Sequence, residues 1–202
     1  MLQLSKPPAR IKGLVLAGGK SSRMGTDKGL ISWHGKGQRY HAADLLKAYC
    51  EEVFISCRAE QYPEIDSSYQ ALQDTYGDNG PMGGIISAYR HDPESAWLIV
   101  ACDLPLLDLQ SVGYLVDNRD PGVLATAYQN TVDGLPEPMF ALWEPSAYPQ
   151  LHSALEAGHT SIRRLLRHFP AKLVLPVHPE VLSNVNTPEE AARLIPRFNP
   201  KL

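Results

Sequence analysis

The sequence has few cysteines, little excess charge and no long hydrophobic run. Three of its 202 residues are cysteines, an odd set without a C-x-x-C pair, which favours free thiols in a reducing compartment. The net charge of −3 argues against nucleic acid as the main partner. No stretch approaches the roughly 18 to 20 apolar residues that a membrane-spanning helix needs. We therefore expect a soluble, cytoplasmic protein.

Motifs of common metal sites and hydrolases are also missing. The seven histidines show no metal-site spacing, and no G-x-S-x-G elbow is present, so a zinc site and a serine hydrolase have little support. The length and the 44% hydrophobic content suffice for a substantial core without disulfides. We expect a flexible leader over residues 1–10 and a single domain over residues 11–202.

The segment of residues 13–28 joins a short apolar run to a glycine-rich, basic loop. The run is continuous, which predicts a strand buried on both faces, and Gly18 and Gly19 end it. Glycines lack Cβ atoms, so their backbone N–H groups can approach an anion. Arg23 and Lys28 add two cations that could hold a polyphosphate. The segment therefore predicts a phosphate site at the carboxyl end of a strand.

Two common phosphate loops do not fit this segment. The tripeptide of Gly19, Lys20 and Ser21 suggests a P-loop, but that pattern needs a glycine where the chain has Leu14. The dinucleotide fingerprint G-x-G-x-x-G fails because Gly18 and Gly19 are adjacent and the third glycine is missing. A basic surface turn after a core strand is the structural alternative.

A second chemical motif follows the clearest buried strand, predicted over residues 96–101. This strand leads into Cys102, Asp103, Leu104 and Pro105. A carboxylate at the carboxyl end of a central strand, beside a phosphate loop, is well placed to hold Mg²⁺. Alone, the same short motif is more typical of a turn or a helix cap.

Strand and helix patterns alternate along the chain. Further strands are predicted over residues 53–56, 69–72, 123–128, 139–143 and 173–175, and helices over 40–49, 59–65, 85–91, 108–116, 146–157 and 161–168. A proline-rich turn is predicted over residues 133–138. This alternation predicts an α/β fold with a mostly parallel sheet and right-handed crossovers.

The glycine-rich loop fills every specified position of the signature L-A-[GA]-G-x-[GS]-x-R-M-G-x-[DP]-K, from Leu16 to Lys28. This signature belongs to nucleotidyltransferases built like nucleotide-sugar pyrophosphorylases, and the chain most resembles the MobA family, the molybdenum cofactor guanylyltransferases. The resemblance covers roughly residues 11–194. It implies a three-layer Rossmann-like sandwich of the nucleotide-diphospho-sugar transferase-like superfamily.

The resemblance also implies which residues form the site. Arg23, Lys28 and Asp103 match the catalytic positions, with Asp103 as the metal ligand. The implied nucleotide-binding residues are Leu16, Ala17, Gly18, Gly19, Arg23, Lys28, Asp74, Gly80, Pro81 and Asp103. Asp78 is an alternative to Asp74, and it could instead only cap or turn the chain. The segment 80–84 departs from the family's G-P-L-A-G at Met82 and Gly83.

Acceptor-binding residues are implied near the end of the sequence. Pro138 matches a family proline that is followed by a strand facing the acceptor, and Asn184 and Asn186 match the family's N-x-N-T-P-E. The residues themselves predict a capping box between Thr187 and Glu190, which explains the end of that motif but not its asparagines.

The reaction implied by the resemblance is transfer of GMP from GTP to the terminal phosphate of molybdopterin, with Mg²⁺ as cofactor. The implied partners are these two small molecules and the proteins that insert or deliver the molybdenum cofactor, without nucleic acid or membrane. One alternative is a transferase using another nucleotide, such as a cytidylyltransferase for the same cofactor. Others are a non-catalytic nucleotide-binding domain and a P-loop enzyme. Base choice and oligomeric state are not indicated.

Overall fold

The computed structural model describes residues 7–19, 28–77 and 79–198. Within them, seven strands form a single sheet: β1 Ile11–Leu16, β2 Val53–Cys57, β3 Gln70–Gln73, β4 Ala96–Ala101, β5 Ala125–Gln129, β6 Pro136–Trp143 and β7 Ala171–Val174. The helices are α1 Gln38–Leu46, α2 Pro81–His91, α3 Leu109–Asp117, α4 Tyr148–Glu156, α5 Ile162–Leu166 and α6 Pro188–Phe198. Short 3₁₀ turns cover Lys28–Leu30, Tyr62–Glu64, Pro145–Ala147 and Pro179–Leu182. In this described part of the chain, no helix is long and apolar enough to cross a membrane.

The sheet is mostly parallel, as predicted. Its strand order is β3-β2-β1-β4-β6-β5-β7, and β6 runs antiparallel to both of its neighbours. From β1 the chain proceeds outward to β2 and β3, and then returns to place β4 on the other side of β1. In open α/β sheets, ligands bind outside the carboxyl ends of the strands at such a switch point. Leu16 pairs with Ala101, so the loops after β1 and β4 leave the sheet side by side.

Helices cover the sheet on both faces. One apolar cluster joins the sheet to α1 and α3, and a second joins it to α2, α4 and α5. All six residues of β4 are buried, with Trp97 in the second cluster and Leu98 in the first. A strand that packs against helices on both faces needs apolar residues at successive positions, which explains its unbroken apolar sequence. The chain therefore forms the expected three-layer sandwich.

Several predicted elements are confirmed closely. β4 has the predicted bounds, and the capping box is present: the Glu190 N–H donates to Thr187 Oγ1 at 3.2 Å, and the Thr187 N–H donates to Glu190 Oε2 at 3.2 Å. Helix α2 begins at Pro81 and not at residue 85, because proline is well suited to the first turn of a helix. The helix predicted over residues 59–65 is only the 3₁₀ turn Tyr62–Glu64.

The turn predicted over residues 133–138 is wrong for its second half. Pro136 and Pro138 lie inside β6. Pro136 is the first residue of that strand, and a register shift opposite Ala127 and Tyr128 leaves Pro138 in a bulge. A proline has no N–H to donate, so strand starts and bulges are the positions where a sheet accepts it.

The predicted leader falls partly outside the described residues, which begin at residue 7. The carbonyl of Ala9 accepts a hydrogen bond from Arg119 at 2.7 Å, and the carbonyl of Arg10 accepts one from the Ala96 N–H at 2.8 Å. These two residues at the end of the predicted leader are therefore held against the domain.

Candidate active site

A cavity of about 740 Å³ opens at the carboxyl edge of the four parallel strands β3, β2, β1 and β4. Its lining includes ten of the predicted site residues, namely Leu16, Ala17, Gly18, Gly19, Lys28, Asp74, Gly80, Pro81, Asp103 and Asn184. Arg23 and the alternative Asp78 lie outside the described residues. Asn186 and Pro138 are not among the lining residues. Asn186 contacts the cavity wall through its hydrogen bond to Lys28, and Pro138 lies between two lining residues, Glu137 and Met139.

Lys28, Asp103 and Asn186 meet at one side of the cavity. Lys28 Nζ donates to Asn186 Oδ1 at 2.5 Å and lies 3.7 Å from Asp103 Oδ2. The Val185 N–H donates to the carbonyl of Asp103 at 2.9 Å, which fixes the N-x-N segment against the loop after β4. Three of the predicted motifs, far apart in sequence, therefore contribute to one cluster.

Burial raises the pKa of Asp103, whereas the nearby Lys28 ammonium opposes that rise. The carboxylate is thus partly desolvated and stabilised by positive charge. In the part of the chain that the structure describes, no group of three or more histidine, cysteine, aspartate or glutamate side chains could hold a metal ion. Mg²⁺ usually takes one or two protein carboxylates and completes its shell with phosphate oxygens and water. Among the described residues, the Asp103 carboxylate beside Lys28 fits an ion of this kind, which arrives with a nucleotide.

Gly18 and Gly19 follow β1 and face the cavity. Neither has a positive φ angle. A Cβ atom at Gly18 would approach Arg58 no closer than 3.8 Å, and one at Gly19 would meet no described atom within 4 Å. Backbone conformation and protein packing in the described residues therefore do not require glycine at either position. Without Cβ atoms, both positions leave the backbone open on the cavity side, as the predicted approach of a phosphate requires.

Arg58, which was not among the predicted site residues, also lines the cavity and binds this loop. Its Nη1 donates to the carbonyl of Gly18 at 2.6 Å and to that of Gly19 at 2.9 Å, while its Nε donates to Glu60 at 2.6 Å. Arg58 directly follows β2, next to β1 in the sheet. The only available signal was a charged residue at the carboxyl end of a fully buried strand.

The segment of residues 74–84 forms the opposite wall. Asp74 follows β3, and its Oδ1 accepts from the Tyr76 N–H at 2.9 Å and from Ser87 Oγ at 3.3 Å. Burial raises the pKa of Asp74, and these hydrogen bonds oppose the rise. Gly80, with φ of 58°, precedes Pro81 at the start of α2. The turn before α2 thus requires a glycine, and it places the positive end of the helix dipole at the cavity.

Gly84 brings α2 close to the strands. A Cβ at this position would lie 2.7 Å from Leu16 Cδ2 and 2.8 Å from Ser56 Oγ, both at the ends of neighbouring strands. A glycine is therefore needed for the helix to approach the floor of the cavity.

Residues of β6 line the remaining side. Glu137 and Met139 face the cavity, whereas Pro138 points to the other face of the strand and is buried. Glu137 pairs with Arg163 of α5 at 2.7 Å, and the same guanidinium binds Asp133 at 3.0 Å. The predicted acceptor region thus reaches the cavity through the two neighbours of Pro138. Both neighbours were missed because the bulge hides the register of this strand.

Residues 13–175 match the model of the MobA-like NTP transferase domain. A molybdenum cofactor guanylyltransferase of Pseudomonas putida is 34% identical over 192 residues, which cover 91% of this chain and 95% of that protein. Another, from a Shewanella species, is 31% identical over 195 residues, covering 94% and 98%. A molybdenum cofactor biosynthesis bifunctional protein of Synechocystis is 34% identical over 90% of this chain. The matched residues span only 53% of that longer relative.

Solved structures share the fold. Molybdopterin-guanine dinucleotide biosynthesis protein A from Archaeoglobus fulgidus superimposes with a TM-score of 0.75 at 23% identity, covering 95% of this chain and all of that one. A nucleotidyl transferase from Methanothermobacter gives a TM-score of 0.74 at 18% identity, covering 96% and 99%. These similarities confirm the nucleotide-diphospho-sugar transferase-like fold.

Proposed function

Because the chain belongs to the family of MobA-like NTP transferase domains, we propose that it is a molybdenum cofactor guanylyltransferase. It transfers GMP from GTP to the terminal phosphate of molybdopterin and releases pyrophosphate. Relatives of this name, at 31% and 34% identity, support the proposal over more than nine-tenths of the chain. The structural observation that carries it is the cluster of Lys28, Asp103 and Asn186 beside the glycine loop.

The chemistry requires alignment and charge neutralisation more than proton transfer. An oxygen of the acceptor's terminal phosphate attacks the α-phosphorus of GTP, and the bond from that phosphorus to the oxygen bridging to the β-phosphate breaks. The bond's electron pair leaves with pyrophosphate. Since the nucleophile is already an anion, a general base is unnecessary, and fixed donors and cations stabilise the charge on the phosphate oxygens.

Each described part of the site supports one role in this scheme. The backbone N–H groups around Gly18 and Gly19, together with Lys28, bind the triphosphate; Arg23, outside the described residues, is proposed to add a second cation. Asp103 would hold Mg²⁺, which would supply positive charge to the phosphate oxygens. Asp74 and the start of α2 at Pro81 contact the nucleoside.

The acceptor is proposed to bind on the β6 side of the cavity. Asn184 lines the cavity there, whereas Asn186 holds Lys28 and so links the acceptor segment to the nucleotide-binding lysine. Pro138 keeps Glu137 and Met139 facing the cavity. The proposal includes the cytoplasmic location, which the cysteine pattern favours, and the contact with proteins that insert or deliver the cofactor, which the resemblance implies.

The first test compares thermal unfolding with GTP, CTP, UTP and ATP, each with and without Mg²⁺. A ligand at about 100 times its dissociation constant stabilises a protein by roughly 2.7 kcal/mol, which is readily measured. We expect a shift with GTP that Mg²⁺ enhances. A shift confined to CTP would move the protein to the cytidylyltransferase branch, and no shift with any nucleotide would contradict the proposal.

The second test measures pyrophosphate release with molybdopterin as acceptor. Lys28→Ala and Asp103→Asn should each lower turnover on the order of 10²-fold, the scale for losing one electrostatic group in an active site. Asp103→Asn should not lower thermal stability at neutral pH, because it removes a carboxylate whose charged form burial disfavours. Arg10→Ala, at a side chain that is 78% exposed, is the matched control. Normal turnover in either folded site variant would refute the assignment.

A further inference from the structure

The glycine loop leaves the sheet one residue after β1. The Ala17 N–H still donates to the carbonyl of Ser56 at 3.0 Å, which is the last sheet-like bond on this side of the strand. Beyond it, the carbonyls of Gly18 and Gly19 both accept hydrogen bonds from one nitrogen, Nη1 of Arg58. A guanidinium nitrogen carries two hydrogens, so one nitrogen can serve both carbonyls at 2.6 and 2.9 Å.

The direction of these carbonyls determines the direction of the amides. A trans peptide group is planar, and its N–H points opposite to its C=O. The Gly18 carbonyl belongs to the peptide unit that carries the N–H of Gly19, so this N–H points away from Arg58. The Ala17 carbonyl, 3.4 Å from Gln61 Nε2, belongs to the unit that carries the N–H of Gly18, which therefore points away from Gln61. A cradle for an anion requires this arrangement, with successive N–H groups on one side.

Arg58 is itself held in place. Its Nε donates to Glu60 Oε1 at 2.6 Å, and its backbone N–H donates to Gln61 Oε1 at 3.1 Å. Gln61 is 4% exposed, and its Nε2 lies 3.4 Å from the carbonyl of Ala17. The connection after β2 therefore contacts three successive carbonyls of the loop, those of Ala17, Gly18 and Gly19. The guanidinium is oriented before any ligand arrives.

From this geometry we infer that Arg58 is a positioning residue for nucleotidyl transfer: it fixes the peptide group between Gly18 and Gly19 so that the Gly19 amide faces the triphosphate. This inference rests on the proposed function for the identity of the ligand. Arg58 acts through the loop and not by touching the reacting atoms. Its planar fork, and not its charge alone, is the required feature.

The experiment compares the wild type with Arg58→Gln, Arg58→Lys and the control Arg10→Ala in the full chain. Three quantities are measured: kcat/KM for GTP, the GTP dissociation constant with Mg²⁺, and the hydrogen-exchange rate of the Gly19 amide without nucleotide. Arg58→Gln should lower kcat/KM by about 10²-fold, as expected when reacting groups are misplaced by about 1 Å. It should also weaken GTP binding and accelerate amide exchange in the loop. Arg58→Lys should stay within about tenfold of Arg58→Gln.

Three results would overturn the inference. The first is an Arg58→Gln protein with normal kcat/KM and normal exchange. The second is full recovery by Arg58→Lys, which would mean that charge suffices. The third is lost activity with unchanged exchange, which would indicate direct contact with the substrate. If the wild type releases no pyrophosphate, the proposed function fails, and the exchange rates alone then decide whether Arg58 holds the loop.

Discussion

Replacement of Arg119 should reveal what a buried, unpaired carboxylate costs this fold. Glu144, directly after β6, is 3% exposed, and the Arg119 guanidinium donates to its two oxygens at 2.7 and 2.8 Å. The remaining arm of the guanidinium donates to the carbonyl of Ala9 at 2.7 Å. The pair thus connects the chain after α3 to the chain before β1. Arg119→Met keeps the aliphatic volume and leaves the carboxylate without its cation.

The expected loss in the free energy of unfolding is about 3–5 kcal/mol, the usual cost of removing one partner of a buried pair. This is a large part of the roughly 5–15 kcal/mol that stabilises a typical domain. The double variant Arg119→Met, Glu144→Leu should recover most of the loss, because no buried charge remains. The exposed pair of Arg10 and Glu51, with side chains 78% and 53% exposed, is the control. Arg10→Ala should cost about 0–1 kcal/mol.

Urea denaturation at pH 7 is the assay. A loss below about 1 kcal/mol, equal to that of the exposed control, would refute the reasoning. A double variant no more stable than the single one would refute it as well.

Two further predictions concern packing and pH. Gly84→Ala should destabilise by about 1–2 kcal/mol in urea denaturation and push Leu16 toward the cavity, because overpacking outweighs the gain in helix propensity. Gly113→Ala in α3 should cost less, since mainly the hydroxyl end of Tyr49 is in the way and can move; equal losses would contradict this account. Burial, aided by a stacked neighbouring histidine, lowers the pKa of His41 to about 4. The unfolded chain takes up this proton at higher pH, so stability should fall as the pH drops from about 6.5 to 4. His41→Gln should lessen that fall, and an unchanged pH profile in denaturation would count against it.

The sequence predicted the centre of the sheet better than its edges. β1 and β4 are buried on both faces, so their apolar runs are continuous and their ends are marked by glycine or by Asp103. β6 runs antiparallel at the middle of the sheet and contains two prolines, which favour a turn when only local preferences are considered. Pairing with β4 and β5 overrides that preference.

The sequence predicted those residues of the candidate site that belong to a motif in the connection after a strand. Lys28 and Asp103 belong to motifs, and their proximity follows from the parallel pairing of β1 with β4. Arg58 was not predictable, because its partners are backbone carbonyls that a sequence does not mark. Glu137 was hidden for another reason: side-chain alternation in a strand shifts at a bulge, and the bulge arises only from pairing with β5.

The hydrogen bond between Lys28 and Asn186 can form only late in the synthesis of the chain. The two residues are 158 positions apart, and a ribosome adds about 5–20 residues each second, so roughly 8–32 s separate their synthesis. During that interval Lys28 lacks this partner. Asp103, once it has been made, lacks the backbone hydrogen bond from Val185. The glycine loop, β1 and β4 are all translated before this segment. A nascent or prematurely terminated chain therefore acquires the arrangement around Lys28 only after residue 186 has been made.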